Sequence, residues 1–253
     1  MILALKIVLT PLLIAAATLA GRRWGPAVSG WLIGFPLTSG PVSLILASQF
    51  GAPFAARAAI GTLADQASVC VFCLAYSLAA QRSGWLACAA VGVGAFAAAE
   101  FAWDHFTLAL VPTFAILLLT IVAVLKLMPQ SGPPAGAAKP PRWDLPARMV
   151  VATSFVMLLT TFATPLGPQL SGLLSPFPIF GIVLATFAHR EQGSGAATQV
   201  VRGIVLGSVA FAAFFVLVAA FVANLATPIV YALATAAAVA ASGISLRAAM
   251  AAA

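Results

Sequence analysis

The chain has 253 residues, of which 63% are hydrophobic and only 7% are charged. A soluble domain carries about 25% charged residues, so this composition excludes a soluble globular protein and predicts an integral membrane protein. The formal net charge of +7 does not indicate nucleic-acid binding, because the basic residues stand between apolar runs, as in the positive-inside bias of membrane proteins.

Long, continuous apolar runs favour transmembrane helices over a barrel, whose strands alternate over roughly ten residues. The first run resembles a signal peptide, but its only early cation is Lys6 and the basic pair Arg22 and Arg23 follows it. We therefore expect it to be a true span. A Pro-rich loop outside the bilayer is predicted for residues 128–144. The predicted spans are 1–20, 26–50, 53–80, 84–102, 106–127, 145–164, 168–188, 196–223 and 227–247.

One sequence pattern occurs twice in the chain. Segments 25–36 and 167–178 both begin with G-P-x-x-S-G and end with F-P, at a constant offset of 142 residues (167 − 25 = 142). This agreement is more specific than shared Gly or Pro residues alone and indicates an internal duplication. The motif positions are Gly25, Pro26, Ser29 and Gly30 in the first copy and Gly167, Pro168, Ser171 and Gly172 in the second.

The charge pattern predicts the topology. If each run crosses once, most basic residues fall on one side, while Glu100, Asp104 and His105 fall on the other. This places the N-terminus outside and the C-terminus in the cytoplasm of a bacterial-type inner membrane. Four spans then match four spans across one linking span, so the two repeats lie inverted. Whether the broken segments cross or re-enter stays open.

The predicted fold is an all-α polytopic membrane protein with about nine transmembrane helices, built from two inverted four-helix repeats joined by one linking helix. The first repeat covers 1–102, the linking span and cytoplasmic loop cover 103–144, and the second repeat covers 145–253.

The two motif copies are the first candidate site. Proline opens a helix because it lacks an N–H and clashes with the preceding turn, and opened backbone at membrane depth is tolerated only inside protein or beside a wet cavity. Bare N–H groups there favour an anion, and paired Pro-broken segments point to a transport site. The alternative is that these prolines only kink the helices. The predicted substrate-binding residues are Pro36, Thr38, Ser39, Gly40, Ser175, Pro176, Phe177 and Pro178.

The second candidate site is Asp65 with its neighbour Gln66, near the middle of the third span. An ionised carboxylate at that depth costs roughly 2.5 to 3.5 kcal/mol on insertion scales, so such a residue titrates, pairs or binds a cation. We expect it to couple transport to a proton or cation, or to contact the substrate. The alternative is an Asp paired for packing, for example with Arg57 through water.

The remaining polar residues carry weaker signals. Cys70, Cys73 and Cys88 lie in apolar runs and are expected to be small core residues, so no metal site is predicted. Glu100 and Asp104 are four residues apart, and we expect a solvated loop there in preference to a proton entry point. His189 and its neighbours are expected to be a topogenic cap, with a gate as the alternative.

The sequence contains no dinucleotide, phosphate-loop, metalloprotease or serine-hydrolase motif, so neither an enzyme nor a cofactor is predicted. The predicted function is a secondary transporter for a small anionic or amphiphilic solute, bound at the midplane between the two broken helices. The alternative is a non-transporting subunit of a larger complex or a lipid-directed membrane protein. Expected partners are the bilayer and the solute, with a homo-oligomer or a membrane partner left open.

Overall fold

The computed structural model describes residues 2–103, 105–106, 109–130, 141–163 and 178–251. These residues fold into ten α-helices, and the described part of the chain contains no β-strand. The helices are α1 Ile2–Trp24, α2 Pro26–Gly34, α3 Ser39–Phe50, α4 Ala52–Ala79, α5 Trp85–Trp103, α6 Leu110–Leu127, α7 Asp144–Ala163, α8 Ile179–Gln192, α9 Ser194–Phe221 and α10 Thr227–Ala251.

Six of the described helical segments are long and apolar enough to cross a membrane, which confirms the prediction of a helical membrane protein at this level. They are Pro26–Phe50, Ala52–Ala79, Trp85–Trp103, Leu110–Leu127, Ser194–Phe221 and Thr227–Arg247. The first of them contains both α2 and α3. Large apolar side chains on the outer faces, such as Val111, Leu119 and Leu86, are exposed, as expected for a surface that faces acyl chains.

Helix boundaries recur at the offset that separates the two motif copies. The helices that begin at residues 2, 52 and 85 have counterparts that begin at 144, 194 and 227. Helices α4 and α9 are both 28 residues long. Each follows a glycine with positive φ, Gly51 at 85° and Gly193 at 88°. Such a φ strains any residue with a Cβ, so glycine is required at both junctions.

Helix α9 lies at the centre of the molecule. It packs against α2, α4, α6, α8 and α10, and most of its side chains from Ala196 to Val218 are buried, apart from a half-buried stripe that includes Arg202, Val209 and Ala213. A helix that is apolar around its whole circumference is stable only inside a bundle. The position of α9 therefore follows from its composition, and it brings α2 and α4 against adjacent parts of one helix.

Several helix ends meet at one end of the molecule. Arg22, in the last turn of α1, donates a hydrogen bond to Asp144, the first residue of α7, with a distance of 2.7 Å. Near the end of α4, Tyr76 Oη and His189 Nδ1 of α8 share a hydrogen bond of 3.3 Å. We call this the linker end, because α7 begins there, directly after residues 141–143.

Candidate functional site

The segment that contains the first motif copy is interrupted at mid-length. Helix α2 ends at Gly34 and α3 begins at Ser39, and Phe35 between them is extended, with φ −79° and ψ 149°. Pro36 has no N–H with which to continue the α2 ladder. The chain re-enters helical hydrogen bonding when Gly40 N–H donates to Pro36 O at 3.0 Å and Val42 N–H donates to Thr38 O at 3.2 Å.

The break leaves polar backbone at the start of α3. The amides of Thr38 and Ser39 precede the first hydrogen-bonded turn, so the helix supplies them with no acceptor of its own. The side chain of Thr38, the residue before α3, makes no capping hydrogen bond. Pro36 and Gly40 are buried, while Thr38 and Ser39 are half-buried. The arrangement can donate hydrogen bonds to an acceptor that approaches the end of α3.

The motif residue Gly30 and the nearby Gly34 allow α2 to lie directly on α9. A Cβ added at Gly30 would collide with the carbonyl of Val200, and one at Gly34 would lie 2.9 Å from Gly207 Cα. The contact is reciprocal, because a Cβ at Gly203 would lie 2.8 Å from Trp31 N. Two glycines four residues apart on each helix thus let the backbones touch, which is how membrane helices pack most closely. This contact fixes the depth of the break along α9.

The other motif positions of the first copy shape the entry to α2. Gly25 has φ 98° between α1 and α2, and Ser29 Oγ donates to Pro26 O at 2.8 Å. Ser29 also lies against α1, where a Cβ at Gly21 would be 2.8 Å from Ser29 Cβ. The first motif copy therefore forms the α1–α2 junction as well as the contact with α9.

Most of the second motif copy lies outside the described residues. This applies to Gly167, Pro168, Ser171, Gly172, Ser175, Pro176 and Phe177. Pro178 is described: it directly precedes α8, and its carbonyl accepts a hydrogen bond of 2.9 Å from Ile182 N–H. Helix α8 has only 14 residues, compared with 12 in α3, so both repeats carry a short helix before the positive-φ glycine.

Gln66 lies at the crossing of α4 and α9. Its Nε2 donates to Ser208 Oγ at 2.7 Å, and these two residues are separated by 142 positions, which is the repeat offset. Ser208 in turn donates to Ile204 O at 2.9 Å, and Cys70 Sγ lies 3.7 Å from Ser208 Oγ. Two residues separated by the offset of the motif copies are thus in direct contact. The neighbour of Ser208 is Gly207, which packs on Gly34 at the end of α2. Gln66 and the start of the break therefore lie against the same turn of α9.

Asp65 is half-buried on α4, next to Gln66. It lies close enough to Glu100 of α5 for the two charges to interact. Glu100 itself is buried, which corrects the expectation of a solvated loop. The reason is periodicity: Glu100 shares a helix face with Gly92 and Phe96, and this face packs on α4, where a Cβ at Gly92 would lie 2.7 Å from the Phe72 ring. Asp104 lies outside the described residues.

A second polar cluster, at the linker end, joins three helices. Arg148 of α7 donates through Nε to Asp144 at 2.7 Å and through Nη2 to Glu191 of α8 at 2.8 Å, and Arg22 completes the set. Asp144 is fully buried and the Arg148 side chain is only 6% exposed. The guanidinium of Arg148 also lies 5.0 Å from the centre of the Phe187 ring. We call these four charged residues the charge network.

The two acids of the charge network differ in their electrostatics. Burial alone would raise the pKa of Asp144, but hydrogen bonds with Glu191, Arg148 and Arg22 outweigh it and hold that pKa below its ordinary value. For Glu191, burial and the hydrogen bond with Asp144 exceed the opposing effect of Arg148 and raise the pKa to about 7. Burial lowers the pKa of the neighbouring His189. Glu191 is therefore the acid that takes up a proton near neutral pH.

Sequence reasoning did not find this network. Its members lie 122 and 43 residues apart in the two inter-helix contacts, so no local spacing relates them. A usable signal was the presence of both Asp144 and Glu191, two of the five acids in the chain, beside predicted spans. Ser208 was also missed, although the repeat offset itself pairs it with Gln66.

No protein-family model matches the chain, and searches of the curated proteins and of the solved structures also found no match.

Proposed function

We propose that this protein is a secondary transporter built from two inverted repeats, with about nine membrane spans and a solute site between the two motif copies. The observation that carries the proposal is the interrupted segment at Phe35–Thr38, whose opened backbone lies beside the contact between the two halves of the chain. The solute is a small anion or an anionic amphiphile, and Asp65 couples its movement to a proton or a cation.

The inverted arrangement is supported by how equivalent helices pack. The last turn of α1 meets the first residue of its counterpart α7, so the two run in opposite directions. Helices α4 and α9 cross at Gln66 and Ser208. Phe72 follows Gln66 in the chain, whereas Ile204 precedes Ser208, yet both lie near Gly181, so α4 and α9 also run in opposite directions. Antiparallel packing of repeat-equivalent helices about a shared point is what a two-fold axis in the membrane plane produces.

The class of solute follows from the start of α3. Its amides at Thr38 and Ser39 carry partial positive charge, and α3 adds its dipole in the same direction. The half-buried hydroxyls of these two residues supply further donors. No described cation lies in the break itself, whose residues are Phe35, Pro36, Leu37 and Thr38. An anion held there is bound by dipoles and hydrogen bonds, which favours release after each transport step.

The proposed repeat equivalence supports the coupling role of Asp65. Asp65 corresponds to Gly207, and Gly207 packs directly on Trp31 and Gly34 at the end of α2. The two-fold relation therefore predicts that Asp65 adjoins the second motif copy. A carboxyl group at membrane depth, with Glu100 nearby, is suited to taking up and releasing one cation or proton per cycle.

The proposal is tested in proteoliposomes that contain a lumenal pH indicator. Addition of acetate, succinate, citrate or phosphate to the outside is expected to drive proton movement with at least one of these anions. Asp65→Asn should abolish this movement, whereas Asp65→Glu, which keeps the carboxylate, should retain part of it. Both variants should elute as folded protein in detergent. Undiminished proton movement in Asp65→Asn would remove Asp65 from the mechanism, and no solute movement with any anion or sodium gradient would count against a transporter.

A further inference from the structure

The charge network joins the two halves of the chain at the linker end. Arg22 belongs to the first repeat, and Asp144, Arg148 and Glu191 belong to the second. Its three ion pairs have N···O distances of 2.7, 2.7 and 2.8 Å. Two guanidinium groups face two acids, so the charges balance when Asp144 and Glu191 are both ionised.

Burial makes the network costly to maintain. Asp144 is fully buried, and Arg148 and Glu191 are 6% and 16% exposed, whereas Arg22 is 34% exposed. Buried ion pairs give little net stability compared with apolar packing, but removal of one partner is strongly destabilising. Such a network is useful chiefly where it selects one of two arrangements. Arg22 is the partner that water reaches, so it is the contact that can be released first.

The helices that the network holds are suited to separate. Among the described helices, α1 packs mainly on α7 and α2, and α7 packs mainly on α1 and α8, while the central helix α9 is not a main partner of either. The contacts among α1, α7 and α8 at the linker end can therefore rearrange while the contact of α2 with α9 stays in place. Tyr76 and His189 continue the polar layer toward α4.

We propose that the charge network is a latch that closes the linker end of the protein and opens and recloses in each transport cycle. The latch rests on the proposed transport function for its role in the cycle. The existence of an open and a closed state of the latch does not depend on the transport function, because opening can be measured as a distance in the protein alone. The first contact to break is Arg22 with Asp144, followed by separation of α1 from α7.

The experiment uses spin labels at two exposed positions that flank the latch, Arg23→Cys and Trp143→Cys, in a chain whose three native cysteines are replaced. Distances between the labels are measured in lipid nanodiscs. The expected result for the otherwise unchanged protein is two distance populations. Arg148→Met and, more mildly, Arg22→Met should increase the longer population by about fivefold or more. Arg190→Met, which removes an exposed arginine of α8, should leave both populations unchanged.

The outcomes separate the latch from a static ion pair and from the transport proposal. One short distance in the parent protein, unchanged in Arg22→Met, would overturn the latch even if Arg148→Met failed to fold. Arg148→Lys, which keeps a cation beside both acids, should retain more of the short population than Arg148→Met, and equal populations in the two variants would count against control by ion pairing. Two populations in a protein that moves no solute in proteoliposomes would support the latch and count against the transport function alone.

Discussion

At the scale of single residues, Arg148 has the most consequential surroundings. It bonds two acids at once and lies on the ring of Phe187, and almost none of its side chain reaches solvent. An arginine suits this place because its planar fork donates in two directions and does not lose its charge. The energetic importance of the residue is therefore the cost of leaving Asp144 and Glu191 buried without a partner.

Arg148→Met should destabilise the protein by about 3–5 kcal/mol, the range measured when one partner of a buried pair is removed. The measurement is the apparent unfolding temperature in detergent, with Arg190→Met as the exposed control. Adding Asp144→Asn and Glu191→Gln to Arg148→Met should recover most of the loss, because no buried acid is then left charged. Equal unfolding temperatures for Arg148→Met and Arg190→Met would contradict this account.

Glu191 should make stability depend on pH. Its pKa is raised from 4.5 to about 7, so the folded state holds the proton more tightly and this contribution is lost as the pH rises from about 5 through about 7. The contribution of Asp144 to stability is lost only at a more acidic pH, because its pKa is lowered from 3.8. The pKa of His189 is lowered by burial, so its contribution to stability has the opposite sign and is lost as the pH falls below 6.5.

The check is the unfolding temperature between pH 5 and pH 8 in a His189→Gln background, with and without Glu191→Gln. The protein with Glu191 should lose stability toward the alkaline end, and the Glu191→Gln variant should lose less. Parallel curves for the two proteins would show that Glu191 does not titrate in this range.

At the scale of elements, the contact of α2 with α9 depends on the absence of side chains. A Cβ at Gly203 would meet the backbone of Ala27 and Trp31, which cannot rotate away as a side chain can. Gly203→Ala should therefore cost about 1–3 kcal/mol as an overpacking change, or more. Gly94→Ala on α5 has open space and should be neutral or slightly stabilising. Equal effects of the two changes on unfolding temperature would contradict the close packing of α2 on α9.

Much of this element-scale structure was accessible from the sequence because it depends on local chemistry. Continuous apolar runs predicted the long helices, and Pro36 marked the interval at which α2 and α3 separate. The partners of buried charges were not accessible, because Arg22 meets Asp144 only after the chain has folded over 122 residues. Glu100 was misplaced for the same reason: its exposure depends on which face of α5 packs on α4.

At the scale of the whole molecule, the proposed two-fold relation organises the account. It explains why Gln66 contacts the residue 142 positions later and why Gly51 and Gly193 share one unusual φ. The two halves differ at Asp65 and Gly207: the proposal gives Asp65 the coupling role, whereas Gly207 makes a close contact with α2. Composition alone does not indicate such a relation, whereas the duplicated motif and its offset of 142 residues do.

The most direct test is thiol cross-linking of Thr38→Cys with Ser175→Cys, in native membranes and in a chain without the native cysteines. Both positions belong to the motif copies that are proposed to form the solute site. A short bifunctional thiol reagent is expected to link the two positions efficiently. The pair Gln66→Cys with Ser208→Cys, from a contact of 2.7 Å, serves as the positive control. Linkage of the control pair without any linkage of Thr38→Cys to Ser175→Cys would contradict a site shared by the two copies.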